Sequence, residues 1–169
     1  MKRVILDTNI YGRIVALGEA DILRNAILSR KDIVIYGFDV VRNELRRTSK
    51  ELVIEKETKV WRNLRITLLN LYDSITRRDI PHPKKVNEIA ENYYNLYREL
   101  GGITSYNKLE NDFKIVAAAS LSSLDIVVSE DNETMLNEHA LKCYRIVNQI
   151  KNMKLPKFIG YRDFRKWFV

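Results

Sequence analysis

Strand-like apolar runs alternate along this chain with amphipathic helical stripes, and that alternation leaves few folds open. The runs are Lys2–Leu6, 33–36, 125–128 and a short last one at Lys157–Ile159. Between them, apolar residues recur at the three-to-four spacing of one helical face. Ile10, Ile14 and Leu17 form one such stripe, with Gly18 as its break, and Val40, Val41 and Leu45 form another. A third runs through Leu109 to Ser122, and a fourth through Met135, Leu136, Ala140, Cys143, Val147 and Ile150. Strands that alternate with helices require right-handed crossovers, so the expected class is α/β, a parallel sheet with helices on both faces.

Residues 57–100 stand out from this rhythm. Val60, Leu64, Leu68, Leu71 and Ile75 make one long stripe, and Val86, Ile89, Ala90, Tyr93, Tyr97 and Leu100 make a second. Pro81-His82-Pro83 separates them, since proline removes a donor and disfavours helix before it. The pattern predicts a helical hairpin, an arm on a single domain spanning 1–169.

At 169 residues the chain is large enough to bury a core without staples. The one cysteine, Cys143, excludes an internal disulfide and a cysteine-rich zinc site, which suits a reducing compartment. No apolar stretch approaches the length of a bilayer span, and the N-terminus enters a strand-like run at once. A cytoplasmic protein is expected, with no membrane partner.

Four acids then claim attention: Asp7 in VILDTN, Glu44 in VVRNEL, Asp112 in ENDFKIVAAAS and Asp131 in IVVSEDNETM. Asp7 and Asp131 close or follow strand-like runs, and ligands of open parallel sheets bind beyond the carboxyl ends of strands. Carboxylates converging there need a counter-charge, and a hard cation such as Mg²⁺ or Mn²⁺ with oxygen ligands supplies it. The rest of the molecule is basic, for the net charge is +7 with those acids included. An acidic pocket in a basic surface suits a polyanion whose phosphate meets a metal. Arg42, Arg46 and Arg47 are the candidate nucleic-acid contacts nearest Glu44 in sequence.

Each acid also has a plain structural role available. Asp7 and Asp112 suit helix N-caps, Asp131 suits a cap for a helix starting near Glu133, and Glu44 suits a solvent-facing helical position. The joint pattern of the four, rather than any single position, favours the metal-site reading.

These segments, VILDTNIYG at 4–12, VVRNEL at 40–45, NDFKIVAAAS at 111–120 and IVVSEDNETM at 126–135, resemble in order and spacing the PIN-domain nucleases. That family includes the toxin halves of VapBC toxin–antitoxin pairs. The resemblance implies a three-layer α/β/α fold around a central parallel sheet and Mg²⁺- or Mn²⁺-dependent endoribonuclease activity. It places Asp7, Glu44, Asp112 and Asp131 on the acidic catalytic positions, with Asn9 and Ser129 as supporting polar groups. Glu130 adjoins Asp131, and the spacing from Ser129 favours Asp131 as the ligand. Asp7, Asp112 and Asp131 are assigned to the metal, with Glu44 as an outer ligand or the group that orients the attacking water. The resemblance further implies products with a 5′-phosphate and a 3′-hydroxyl, a homodimer, and a small antitoxin partner. The alternatives are an RNA-processing or decay nuclease outside any toxin pair, and a non-catalytic RNA-binding protein of the same fold. Elsewhere, His82, His139, Tyr93, Tyr94, Tyr97, Trp61, Trp167 and Cys143 read as surface or packing residues.

Overall fold

The computed structural model describes residues 1–54, 61–81 and 84–169. Five parallel strands form the central sheet: β1 (Lys2–Leu6), β2 (Ile33–Gly37), β5 (Thr76–Asp79), β6 (Ile126–Val128) and β7 (Lys157–Ile159). Their spatial order is β5-β2-β1-β6-β7. A separate antiparallel pair, β3 (Leu52–Ile54) and β4 (Trp61–Asn63), lies outside it. The helices are α1 (Thr8–Ala16), α2 (Ala20–Ser29), α3 (Asp39–Arg46), α4 (Leu64–Ile75), α5 (Lys84–Glu99), α6 (Tyr106–Leu121), α7 (Glu138–Ile150) and α8 (Tyr161–Arg165). The architecture is the three-layer α/β/α one, with helices flanking the sheet.

The central strand β1 sits between β2 and β6 and is covered on both faces. In β1, Val4, Ile5 and Leu6 are all buried, as expected of a strand covered on both faces. Its register sets Val4 beside Ile35 of β2 on one side and Ile126 of β6 on the other. The ladder continues past the strand ends: Asp7 N–H donates to the Val128 carbonyl at 2.9 Å, and Ser129 N–H to the Ile159 carbonyl at 3.0 Å. Asp7 and Ser129 therefore stand side by side at the carboxyl edge of the sheet.

Two helical groups cover the sheet. Helix α1 packs on α2, α3 and α4, while α5 packs on α6 and α7. The run Ala117, Ala118 and Ala119 in α6 is fully buried, and these small side chains let α6 approach β6 closely. Gly18 breaks α1 from α2 at a φ of 70°, a left-handed turn that favours glycine.

The region 57–100 is arranged differently from the expected hairpin. Its two helices take different neighbours, α4 lying on α1, α2 and α3, and α5 on α6 and α7. Between them the segment Thr-Arg-Arg-Asp forms β5, the outer strand of the main sheet, paired in parallel with β2. The segment is thus woven into the body instead of standing off it. The physical reason is that both helical stripes are core faces, with Leu68, Leu71, Ile75, Val86, Ile89, Ala90 and Tyr93 all buried. Residues 57–60 and His82-Pro83 lie outside the described residues.

Candidate active site

Four chain segments deliver acids to the carboxyl edge of the sheet. Asp7 leaves β1 with extended backbone and caps α1, its Oδ1 accepting from Thr8 N–H at 2.7 Å. Its Oδ2 accepts from Ser129 Oγ at 2.7 Å and Asn9 Nδ2 at 2.8 Å. The capping role and the site role thus fall on one residue. Asn9 in turn receives Glu130 N–H on its Oδ1 at 3.3 Å, and Ser129 Oγ accepts Asp131 N–H at 3.1 Å. These bonds tie the turn after β6 to the start of α1.

Glu44 comes from the second half of α3, whose buried face of Val40, Val41 and Leu45 holds it against the body. Its carboxylate is clasped from both sides. Thr8 Oγ1 donates to Oε2, and Asn111 Nδ2 donates to Oε1 at 2.9 Å. Asp112 is the neighbour of that asparagine and lies well inside α6, which begins at Tyr106. It is therefore not an N-cap. Successive helical residues diverge around the axis, so Asn111 reaches Glu44 while Asp112 reaches the opposite wall.

That wall is the turn 131–134. Asp131 Oδ1 accepts Glu133 N–H at 3.0 Å and Thr134 N–H at 2.9 Å, while Thr134 Oγ1 lies in hydrogen-bond contact with both Asp131 Oδ2 and Asp112 Oδ2. One hydroxyl thus stands between two carboxylates. The expected helix near Glu133 is absent; the chain turns, and α7 starts at Glu138 with Asn137 as its cap. Of the adjacent acids, Asp131 faces the cluster and Glu130 is exposed, 3.9 Å from Arg13.

The electrostatics mark the cluster as uncompensated. Burial pushes the Asp7 carboxyl up to about 6, against the favourable bonds from Ser129 and Thr8, and the charges of Glu44 and Asp131 add to the rise. Burial likewise lifts Asp112 to about 7, opposed by the Thr134 bond and reinforced by Asp7, Asp131 and Glu44. Among the described residues, no lysine or arginine forms an ion pair with any of the four. Buried carboxylates without a cationic partner gain from a bound cation. Among the described residues, no group of three acid, histidine or cysteine side chains stands at ion-holding spacing. The hydroxyls and amides between the carboxylates keep them apart. The donor set fits a hard divalent cation in kind, being all oxygen, and side-chain rotation would have to draw it inward.

The candidate RNA contacts divide. Arg42 is committed to Asp73 of α4 through two bonds of 3.0 Å. Arg46 and Arg47 are exposed and make no ion pair among the described residues. Sequence reasoning missed Thr8, Asn111 and Thr134 as site residues. A signal existed for Thr134, since a hydroxyl three residues after an aspartate is a common turn partner. For Asn111 there was none, because its partner lies 67 positions away in the chain.

No family model matches this sequence, and no curated protein matches it. Among solved structures, one likeness is to VapBC2 from Rickettsia felis bound to a DNA fragment from its promoter, with TM-score 0.54 and 13% identity. It covers 94% of this chain and 98% of that one. Another is to FitAB bound to an IR36 DNA fragment, with TM-score 0.52, 16% identity and 94% coverage of both chains. The chain therefore shares, over nearly its whole length, the fold of a chain found in each of these two DNA-bound complexes.

Proposed function

We propose that this protein is a metal-dependent endoribonuclease of the PIN type, acting as the toxin of a VapBC-like toxin–antitoxin pair. The observation that carries the reading is the convergence of Asp7, Glu44, Asp112 and Asp131 from four separate segments on one uncompensated cluster. A stability-only role does not account for it, because buried like charges without partners destabilise a fold. The fold likeness to VapBC2 supports the toxin assignment, and with it a small antitoxin partner.

In this reading Asp7, Asp112 and Asp131 hold the ion. Mg²⁺ or Mn²⁺, when bound, supplies an acidified water and charge neutralisation on the phosphoryl oxygens. Ser129 and Asn9 aim the Asp7 carboxylate, and Thr134 aims Asp112 and Asp131. Glu44, clasped by Thr8 and Asn111, orients the attacking water. The water oxygen bonds to phosphorus as the bond to the 3′ oxygen breaks. A proton reaches that oxygen, leaving a 3′-hydroxyl and a 5′-phosphate. A homodimer belongs to the same proposal, and exposed Ile22 and Leu28 on α2 with Ile66 on the adjoining α4 offer apolar surface for it. Light scattering of the native protein reads that mass directly.

The decisive experiment is cleavage of a mixed pool of structured RNAs with Mg²⁺, Mn²⁺ or EDTA, beside Asp112→Asn purified identically. Cutting that needs metal and disappears in the variant is expected. Cutting that persists in the variant would remove Asp112 from the site.

A further inference from the structure

Beside the carboxylates lies a cleft of about 480 Å³, a volume suited to a small ligand. It shares Ser129 with the acid cluster, and its other walls include Glu130, Asn132, Leu136, Phe158 and Gly160. Ser129 joins the two spaces because its Oγ donates to Asp7 at 2.7 Å while its N–H extends the sheet to Ile159. Whatever occupies the cleft is therefore immediate neighbour to the group held by Asp7.

We propose that this cleft is a subsite for one unpaired nucleobase of the substrate, selective for guanine. The proposal rests on the RNA-cleaving reading above. Three features carry it. Leu136 and the half-buried Phe158 provide apolar walls, and Phe158 is held by Tyr144 at a ring separation of 5.8 Å. Sequence-specific recognition of RNA relies on unstacked bases set against such surfaces and read along their edges. The edge here is read by Glu130 and Asn132, both exposed.

The carboxylate chooses the base. Ionised, it only accepts hydrogen bonds, and it accepts two in parallel. Guanine presents adjacent donors, N1–H and the N2 amino group, that match it. Uracil presents one N–H between two carbonyl oxygens, which a carboxylate repels. Cytosine and adenine present an amino group beside a ring acceptor. Arg13, 3.9 Å from Glu130 with both side chains largely solvated, makes a loose pair that a base can displace.

Gly160 keeps the cleft open. Its φ of −86° is open to any residue, so backbone conformation does not demand glycine. A Cβ built there meets nothing within 4 Å. Gly160→Leu thus fills the cleft without straining the chain, and Glu130→Gln removes the acceptor pair at an exposed position.

The test is fluorescence anisotropy in EDTA, where no cleavage occurs, using labelled UUGUUU and UUUUUU. The native protein should bind the guanine-containing strand about tenfold more tightly, the scale of hydrogen bonds to a charged group. Glu130→Gln and Gly160→Leu, each shown folded by its melting curve, should reduce that ratio to near unity. Equal affinities in the native protein, or a preference that survives both substitutions, would overturn the subsite and leave the cleft to a protein segment. The cleavage assay separates the two readings. Metal-dependent cutting without base preference sinks the subsite alone, and guanine preference without cutting sinks the nuclease alone.

Discussion

Burial and mutual repulsion both act against ionisation of Asp7 and Asp112, and the consequence is a stability that depends on pH. Their carboxyls titrate at about 6 and about 7 in the fold, both above the ordinary 3.8. Between pH 4 and pH 7 the native state therefore binds more protons than the unfolded chain. Stability is fullest below the unfolded value and falls as pH rises through the folded values, by on the order of 3 kcal/mol per group. Melting in EDTA should show this fall, and divalent metal at pH 7.5 should reverse it. Asp112→Asn should raise the melting temperature at pH 7.5 without metal, since the amide carries no charge and its oxygen still accepts from Thr134. Asp7→Asn should gain less, because its new N–H₂ would face the donors Ser129 and Asn9. Thr134→Val tests the shared hydroxyl. It keeps shape but leaves Asp112 and Asp131 unbridged, so cleavage or metal affinity should drop by roughly 10–100-fold, the range for residues that orient ligands. A drop in stability alone, with the metal response intact, would count against the bridging role.

At the scale of elements, the site depends on how β2 hands over to α3. Gly37 ends the strand where a Cβ would lie 2.5 Å from Asp79 Oδ1 and 2.6 Å from Tyr72 Oη. That hydroxyl accepts from Phe38 N–H at 2.6 Å and donates to the Phe38 carbonyl at 3.1 Å, so it anchors the entry to α3. Gly37→Ala should displace Tyr72, loosen the helix carrying Glu44, and cost roughly 1–3 kcal/mol, the range for overpacked sites. Urea melts and cleavage rates should both register it. The same junction shows why the apolar pattern revealed β2 and α3 but not β5. Thr76–Asp79 is polar and mostly exposed, as an edge strand can be, and carries no alternation to read. It joins the sheet through backbone bonds to β2, with Arg77 donating to the carbonyls of Ile27, Leu28 and Arg30.

Across the whole molecule, the basic excess is less available than composition suggests. Arg42 is tied to Asp73, Lys154 and Arg3 to Asp125, Arg165 to Glu19, and Arg77 to backbone. Arg46 and Arg47 remain exposed at the C-terminal end of the helix that carries Glu44, Arg46 in its last turn and Arg47 as its C-cap. Replacing both with alanine should weaken single-stranded RNA binding and flatten its salt dependence, lowering the log–log slope by about 1.4. Arg42→Ala should leave that slope unchanged. A slope equal to that of the native protein in the double variant would move the RNA path elsewhere.

The sequence by itself determined the alternation of strand and helix, hence a parallel α/β sheet, because the periods of two and of three to four are local properties of the chain. It also placed Asp7, Glu44, Asp112 and Asp131 in order, since each follows an apolar run or lies within a helical stretch. Only the tertiary structure decided that α4 and α5 separate onto different neighbours, that Thr76–Asp79 joins the main sheet beside β2, and that Asn111 clasps Glu44. Those outcomes depend on which surfaces meet and on hydrogen bonds between residues distant in sequence, and no local pattern encodes either.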